Sequence, residues 1–183
     1  MIRIFDFLFS FFGLLFLSPV LAVLFLITYF DTGSPLFRQE RIGRFEKSFT
    51  LVKFRTMQFD TASVASHLVD KSAITSVGSF LRKSHLDELP QLWNVIKGDM
   101  SLVGPRPALF SQEKLRNARK KHNVYKVRPG ITGLSQVSGL DTSTPELLAE
   151  TDAKMLENLT IKYYFKYIIA TAGGKGSGDA AQR

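Results

Sequence analysis

Between Ile4 and Phe30 the chain carries a single charge, Asp6, and only three aliphatic hydroxyls, Ser10, Ser18 and Thr28. That run exceeds the ~20 apolar residues that cross a bilayer. It makes a poor signal peptide, because only Arg3 precedes it and no small-x-small cleavage site comes before Asp31. Ser18-Pro19 stands near its middle. Proline removes a backbone donor and clashes with the carbonyl four residues back, so a helix must kink there. Ser18 can bond back to a nearby carbonyl and help satisfy the break. The arms Ile4–Leu17 and Val20–Phe30, 14 and 11 residues, are each too short to cross alone at ~1.5 Å per residue. Three placements stay open on these residues: a re-entrant hairpin, a kinked single span, or a helix buried in a soluble body. Positive charge flanks the run on both sides, with Arg3 before it and Arg38, Arg41, Arg44 and Lys47 after it, which suits two ends on one face.

At 183 residues the chain has room for one compact domain and an appendage. Its net charge of +8 asks for an anionic partner: nucleic acid, acidic headgroups or a phosphorylated substrate. The absence of cysteine excludes disulfides, thiolate catalysis and Cys-ligated zinc. Sixteen Phe against one Trp, with many of the Phe in the first thirty residues, mark a lipid-facing element.

The turn cluster Asp31–Pro35 ends the apolar run. Leu36 to Met57 reads as short strands or a hairpin, and Asp60 to Ser79 as a mobile loop with one short helix. Phe80 to Lys97 reads as helix except at its middle, and Ser111 to Lys126 as a strongly basic helix. Val127 to Gly139 is expected to be a Gly/Pro-punctuated loop. Pro145 to Ala170 should hold a further helix, with Tyr163, Tyr164, Phe165 and Tyr167 near its end, and the Gly-rich end should be a flexible tail. The division expected is 1–31 anchor, 32–170 catalytic domain and 171–183 tail.

Chemistry concentrates in SHLDELPQLWNVIKGDMSLVGPRP, Ser84 to Pro107. Pro90 is tolerated only in a helix's first turn, so Asp87 is expected as N-cap, with Gly98 ending the helix and Leu89, Leu92, Trp93 and Ile96 as its buried stripe. Asp87 and Glu88 then sit where free N–H groups also attract phosphate. An acid pair can be a mere cap. Arg82 and Lys83 upstream and Pro105-Arg106-Pro107 downstream let this one hold a divalent metal and a diphosphate together. Lys53 and Arg55, two apart, point to one face of a strand, either as a charge-protected edge or as phosphate contacts. Arg128 lies in a second stiff turn, Arg128-Pro129-Gly130. The basic run Lys114, Arg116, Arg119, Lys120, Lys121 and Lys126 reads as a solvated face or as an adhesive for anionic lipid. It has no interleaved aromatic before Tyr125, and no nucleic-acid module pattern is present, so nucleic acid is not an expected partner. His67, His85 and His122 lack metal-ligand spacing; His85 is close enough to Asp87 to support it.

Together, Ser18-Pro19, KFRTM at Lys53–Met57, LRKSHLDELPQLWNVIKGDMSLVGPRP at Leu81–Pro107 and VRPGITGLSQVSG at Val127–Gly139 resemble the small monotopic phosphoglycosyl transferases of the bacterial sugar transferase family, in their minimal catalytic form. The resemblance runs from the anchor to about Tyr167. It implies an α+β, predominantly helical fold: a re-entrant membrane hairpin, interfacial amphipathic helices and a small β element. It also implies transfer of a phosphosugar from a UDP-sugar to a polyprenol phosphate, expected to be undecaprenyl phosphate, with UMP released. The setting is the cytosolic face of the bacterial inner membrane, at the first membrane step of glycan assembly. By the same resemblance Asp87 is the nucleophile that forms an aspartyl-phosphosugar intermediate. Glu88 handles magnesium and protons, both acids hold Mg2+, and Arg106 with its prolines meets the nucleotide. Arg82, Arg106 and Arg128 are the expected clamps, and Lys53 and Arg55 lesser ones. Position 85 is His where a smaller polar residue is usual. The rival reading is a non-catalytic membrane scaffold that binds anionic lipid.

Overall fold

The structure, a computed structural model, describes residues 2–59 and 71–176. It is mostly helical with two small β-ladders, the α+β class expected. Helices α1 (Ile2–Phe16) and α2 (Ser18–Thr32) meet at Leu17 with a bend of 66°. Ser18 Oγ donates to Leu15 O at 2.8 Å, and Pro19 falls in the first turn of α2, where a missing N–H breaks no helical bond. No single helix among the described residues is long and apolar enough to cross a membrane, although the bent pair passes that test together.

The polarity of this pair is inverted. Asp6, Ser10 and Thr28 are buried, whereas Phe16 and Phe30 are 74% and 83% exposed. Arg3 reaches across to the end of α4 (Gln91–Lys97), donating to Val95 O at 2.6 Å and Ile96 O at 3.2 Å. Asp6 accepts from Ser101 Oγ, from Leu102 N at 2.9 Å and from Tyr164 Oη at 2.9 Å. The bent pair is therefore built into the body of the protein.

Of the two readings open for the next stretch, short strands or a hairpin, the structure shows the hairpin: β1 (Leu36–Ile42) and β2 (Ser48–Phe54) pair antiparallel, Leu36 opposite Phe54 and Ile42 opposite Ser48. Phe45 and Glu46 at its tip have φ of 57° and 58°. Glu46 meets Arg116 at 3.0 Å and Lys120 at 3.1 Å on α5 (Glu113–Lys121), which tethers the tip. Asn94 of α4 bridges to β2, donating to Thr50 O and accepting from Val52 N.

Several local expectations are corrected. Asp87 does not cap α4. Helix α3 (Ser76–Lys83) ends, His85 takes a left-handed φ of 57°, Leu86–Glu88 forms a 3-10 turn, and α4 begins only after Pro90. The extra turn lets Leu86 and Leu89 pack with Leu24, Phe54 and Leu81. Gly98 does end α4, at φ 93°. The buried face of α4 is Gln91, Asn94 and Val95, while Trp93 is 55% exposed. The Val127–Gly139 segment is not all loop: it holds β4 (Gly130–Thr132), which pairs in parallel with β3 (Ser101–Val103), and the short α6 (Leu134–Val137). The final helix is two, α7 (Pro145–Glu157) and α8 (Ile161–Ala172), with Thr160 capping the second by accepting from Tyr163 N. Residues 60–70 of the expected mobile loop and 177–183 of the expected tail lie outside the described residues.

Candidate functional site

The 3-10 turn Leu86–Glu88 sets two carboxylates facing different cations. Asp87 Oδ2 lies 4.0 Å from Lys53 Nζ on β2, and Glu88 Oε1 lies 3.5 Å from Arg106 Nη1. Burial is graded: the Asp87 side chain is 6% exposed and that of Arg106 37%. Lys53, Glu88, Gln91, Arg106, Arg41 and Pro107 line one recess of about 20 Å³. That is room for roughly one water, and the cations Lys53 and Arg106 are held by the carboxylates.

Arg106 is positioned from beneath. Gly104 lies so close to the strand beside it that a Cβ there would sit 2.6 Å from Arg128 O. Gly130 N donates to Pro105 O, and Arg41 donates to Pro107 O at 3.1 Å. Arg119, 1% exposed, donates to Arg106 O at 2.7 Å. Its other nitrogens bind Asp152 Oδ2 at 2.9 and 2.6 Å, and Ser135 Oγ donates to Asp152 Oδ1. The Pro105-Arg106-Pro107 turn thus rests on a buried ion pair that frees the Arg106 side chain to face the recess.

The other expected clamps have different places. Arg82 is 2% exposed and donates Nε to Thr56 Oγ1 at 2.8 Å, fastening α3 to the chain just after β2. Arg128 donates Nε to Gly98 O at 2.7 Å, at the carbonyl end of α4. Burial, then the neighbouring Arg3 and Arg44, hold its pKa below the usual arginine value. Arg55 donates to Ser34 O and stacks with Lys53 against Phe37, so the two cations do share a face. Ser18 and Pro19 start the second helix, at the break between α1 and α2. Of the basic run, Arg119 is buried, and Arg116 and Lys120 are engaged by Glu46. This leaves less free charge for lipid adhesion than the run suggests.

Arg41, Gln91, Arg119 and Asp152 do not stand out in the sequence. Arg41 and Arg119 sit among other basic residues, and Asp152 lies in an unremarkable helix; only the tertiary pairing sets them apart. Among the described residues no three His, Cys, Asp or Glu side chains cluster into a self-sufficient metal site. Two adjacent carboxylates are nonetheless what magnesium takes from protein when water and phosphate fill its remaining positions. The donor set fits that ion.

Fold and recess together describe a small α+β protein whose paired acids and cations suit an anionic ligand, seated beside an apolar bent helix pair. The chain belongs to the family described as bacterial sugar transferase, whose sequence model matches residues 1–175. It is 38% identical over 170 residues to the uncharacterized sugar transferase EpsL of Bacillus subtilis, covering 92% of this chain and 84% of that one. It is 36% identical over 176 residues to the undecaprenyl-phosphate galactose phosphotransferase of Salmonella typhimurium, covering 87% of this chain but 37% of the relative. A third relative, the UDP-glucose:undecaprenyl-phosphate glucose-1-phosphate transferase of Caulobacter vibrioides, is 44% identical over 124 residues, 64% of this chain and 46% of its own. The chain thus spans most of EpsL and less than half of the two relatives with named acceptors.

Proposed function

We propose that the protein transfers a sugar phosphate from a UDP-sugar to undecaprenyl phosphate and releases UMP. The observation that carries this reading is the buried Asp87 carboxylate 4.0 Å from Lys53, beside the Glu88–Arg106 pair. An Asp87 oxygen attacks the sugar-linked phosphorus; the bond to the bridging oxygen breaks and UMP departs, leaving an acyl phosphate. A phosphate oxygen of the acceptor then attacks the same phosphorus, forming a sugar-diphosphate lipid and releasing Asp87. A carboxylate attacks an anionic diphosphate only where positive charge offsets the repulsion. Lys53 and Arg106 are placed to supply it, with Arg41 at the edge of the recess. Magnesium, held by Asp87 and Glu88, would neutralise diphosphate charge.

The anchor is read as re-entrant, with the catalytic body on the cytosolic face of the bacterial inner membrane. Its 66° bend, its exposed Phe face and its buried polar strip support that placement. The full-length protein in lipid nanodiscs, screened against a panel of UDP-sugars, tests the reaction. A phosphosugar adduct should appear on Asp87 by mass spectrometry, and Asp87→Asn should lower UMP release by at least ~10³-fold. Full turnover by that variant would sink the mechanism.

A further inference from the structure

Strand β2 separates two compartments. The side chains of Leu51 and Lys53 face the recess lined by Glu88 and Arg106, and those of Thr50, Val52 and Phe54 face the opposite way, as strand alternation requires. On that second side lies a groove of about 650 Å³. Its walls are Leu14, Leu21 and Phe25 of the anchor and Pro90 and Trp93 at the start of α4. Leu14 and Leu21 straddle the Leu17 break, so the groove opens from the bent pair itself and is continuous with its exposed apolar face.

The rim is cationic. Arg38 and Lys97 both line the groove. Lys97 is already met by Asp99 at 3.0 Å. Arg38 is exposed and has no hydrogen-bond or ion-pair partner among the described residues. The carboxylate beside it on the same strand face, Glu40, accepts from Thr50 Oγ1. An apolar slot bordered by a guanidinium that makes no ion pair among the described residues is complementary to an amphiphile with a phosphate head. Arg38 lies on the strand face away from Asp87, so a phosphate seated on it is not the one being transferred.

We propose that this groove holds one acyl chain of an anionic bilayer phospholipid, with its headgroup phosphate on Arg38 and Lys97. The site is separate from the acceptor's reacting phosphate and rests only on the bent pair lying in the bilayer.

Trp93 is the only tryptophan in the chain and lines the groove, so its fluorescence reports occupancy. The full-length protein is placed in vesicles of phosphatidylcholine that contain increasing fractions of chain-brominated phosphatidylglycerol or chain-brominated phosphatidylcholine. Site binding predicts quenching that saturates at low mole fraction of the anionic lipid, with an apparent preference over the zwitterionic one of about fivefold per cation. Arg38→Gln should remove about fivefold of that preference, and Arg38→Gln with Lys97→Gln nearly all of it. Both residues are exposed, so neither change threatens folding. Quenching that rises linearly with both lipids alike would overturn the proposal. So would displacement of the brominated lipid by stoichiometric polyprenyl phosphate, which would make the groove the acceptor's. Flotation of the same vesicles reads membrane seating separately: protein that fails to float refutes the anchor placement, and protein that floats without selective quenching refutes the groove alone.

Discussion

Arg106 and Arg119 lie thirteen positions apart and serve the recess from two levels. Arg106 offers its side chain to it, and Arg119 holds the Arg106 carbonyl from below. On the proposed reaction, Arg106→Gln removes a charged hydrogen-bond donor from the UDP-sugar's phosphates and should raise KM by roughly ten- to a hundredfold with a smaller effect on folding. Arg119→Met strands Asp152 in the core, and breaking such a buried pair costs about 3–5 kcal/mol. Its thermal midpoint in nanodiscs should fall sharply. The double change Arg119→Met with Asp152→Leu should recover most of that midpoint while kcat/KM stays low, because nothing then holds the Arg106 carbonyl. A double variant with normal turnover would show that the turn holds itself. Tyr164 gives a pH signature. Burial first, then the adjoining Asp6 carboxylate, pushes its hydroxyl well above the ordinary tyrosine value. Ionisation is harder in the folded chain than in the unfolded one, where tyrosine titrates near ~10. The stabilisation is complete below that pH and is lost as pH climbs above it toward the folded value. Thermal midpoints should fall above pH ~10, and Tyr164→Phe should make the decline shallower. Tyr125 and Tyr167, also raised by burial, leave a residual slope.

At the level of elements, the crossing of β3 and β4 decides whether the Arg106 turn exists. A Cβ on Gly130 would land inside the backbone of Gly104. Gly130→Ala should therefore prevent accumulation of folded protein, whereas Gly33→Ala, which meets only the left-handed penalty at φ 71° in open space, should cost about 1–2 kcal/mol. Expression level and melting of the two side by side measure the difference. This crossing is also the least legible part of the chain. Each strand is three residues long, and its partner lies far along the sequence, so no local period announces it. The β1–β2 hairpin, by contrast, is plain from its alternation around Gly43, and the end of α4 from Gly98. Asp87 and Glu88 stand out as a pair in the sequence, but the turn that bears them does not, because Leu86 and Leu89 answer to Leu24, Phe54 and Leu81 rather than to helix capping. The cations divide in the same way. Lys53 and Arg106 reach the acids, while Arg128 serves the carbonyl end of α4, and residue type does not distinguish those uses.

For the whole molecule, the proposed re-entrant placement puts both ends of the bent pair on one side of the bilayer, and the break at Leu17 is where that can be tested. Pro19→Ala restores a backbone donor, and the two arms together are long enough to cross if they straighten. The native chain has no cysteine, so one appended ahead of Met1 and one replacing the exposed Lys47 are each unique reporters. Both should label from the same face with Pro19 present, and from opposite faces in a fraction of Pro19→Ala molecules; a membrane-impermeant maleimide reads the outcome. The buried Asp6 bears on how the protein is made. Its partners Ser101 and Tyr164 lie 95 and 158 residues downstream. At translation rates of ~5–20 residues per second, the carboxylate waits roughly ten to thirty seconds for the last of them. During that interval Arg3, one helical turn away at 3.8 Å, is the partner already synthesised. The first helix thus carries its own temporary counter-ion, and on the proposed placement it could enter a bilayer before the last of these partners has been made.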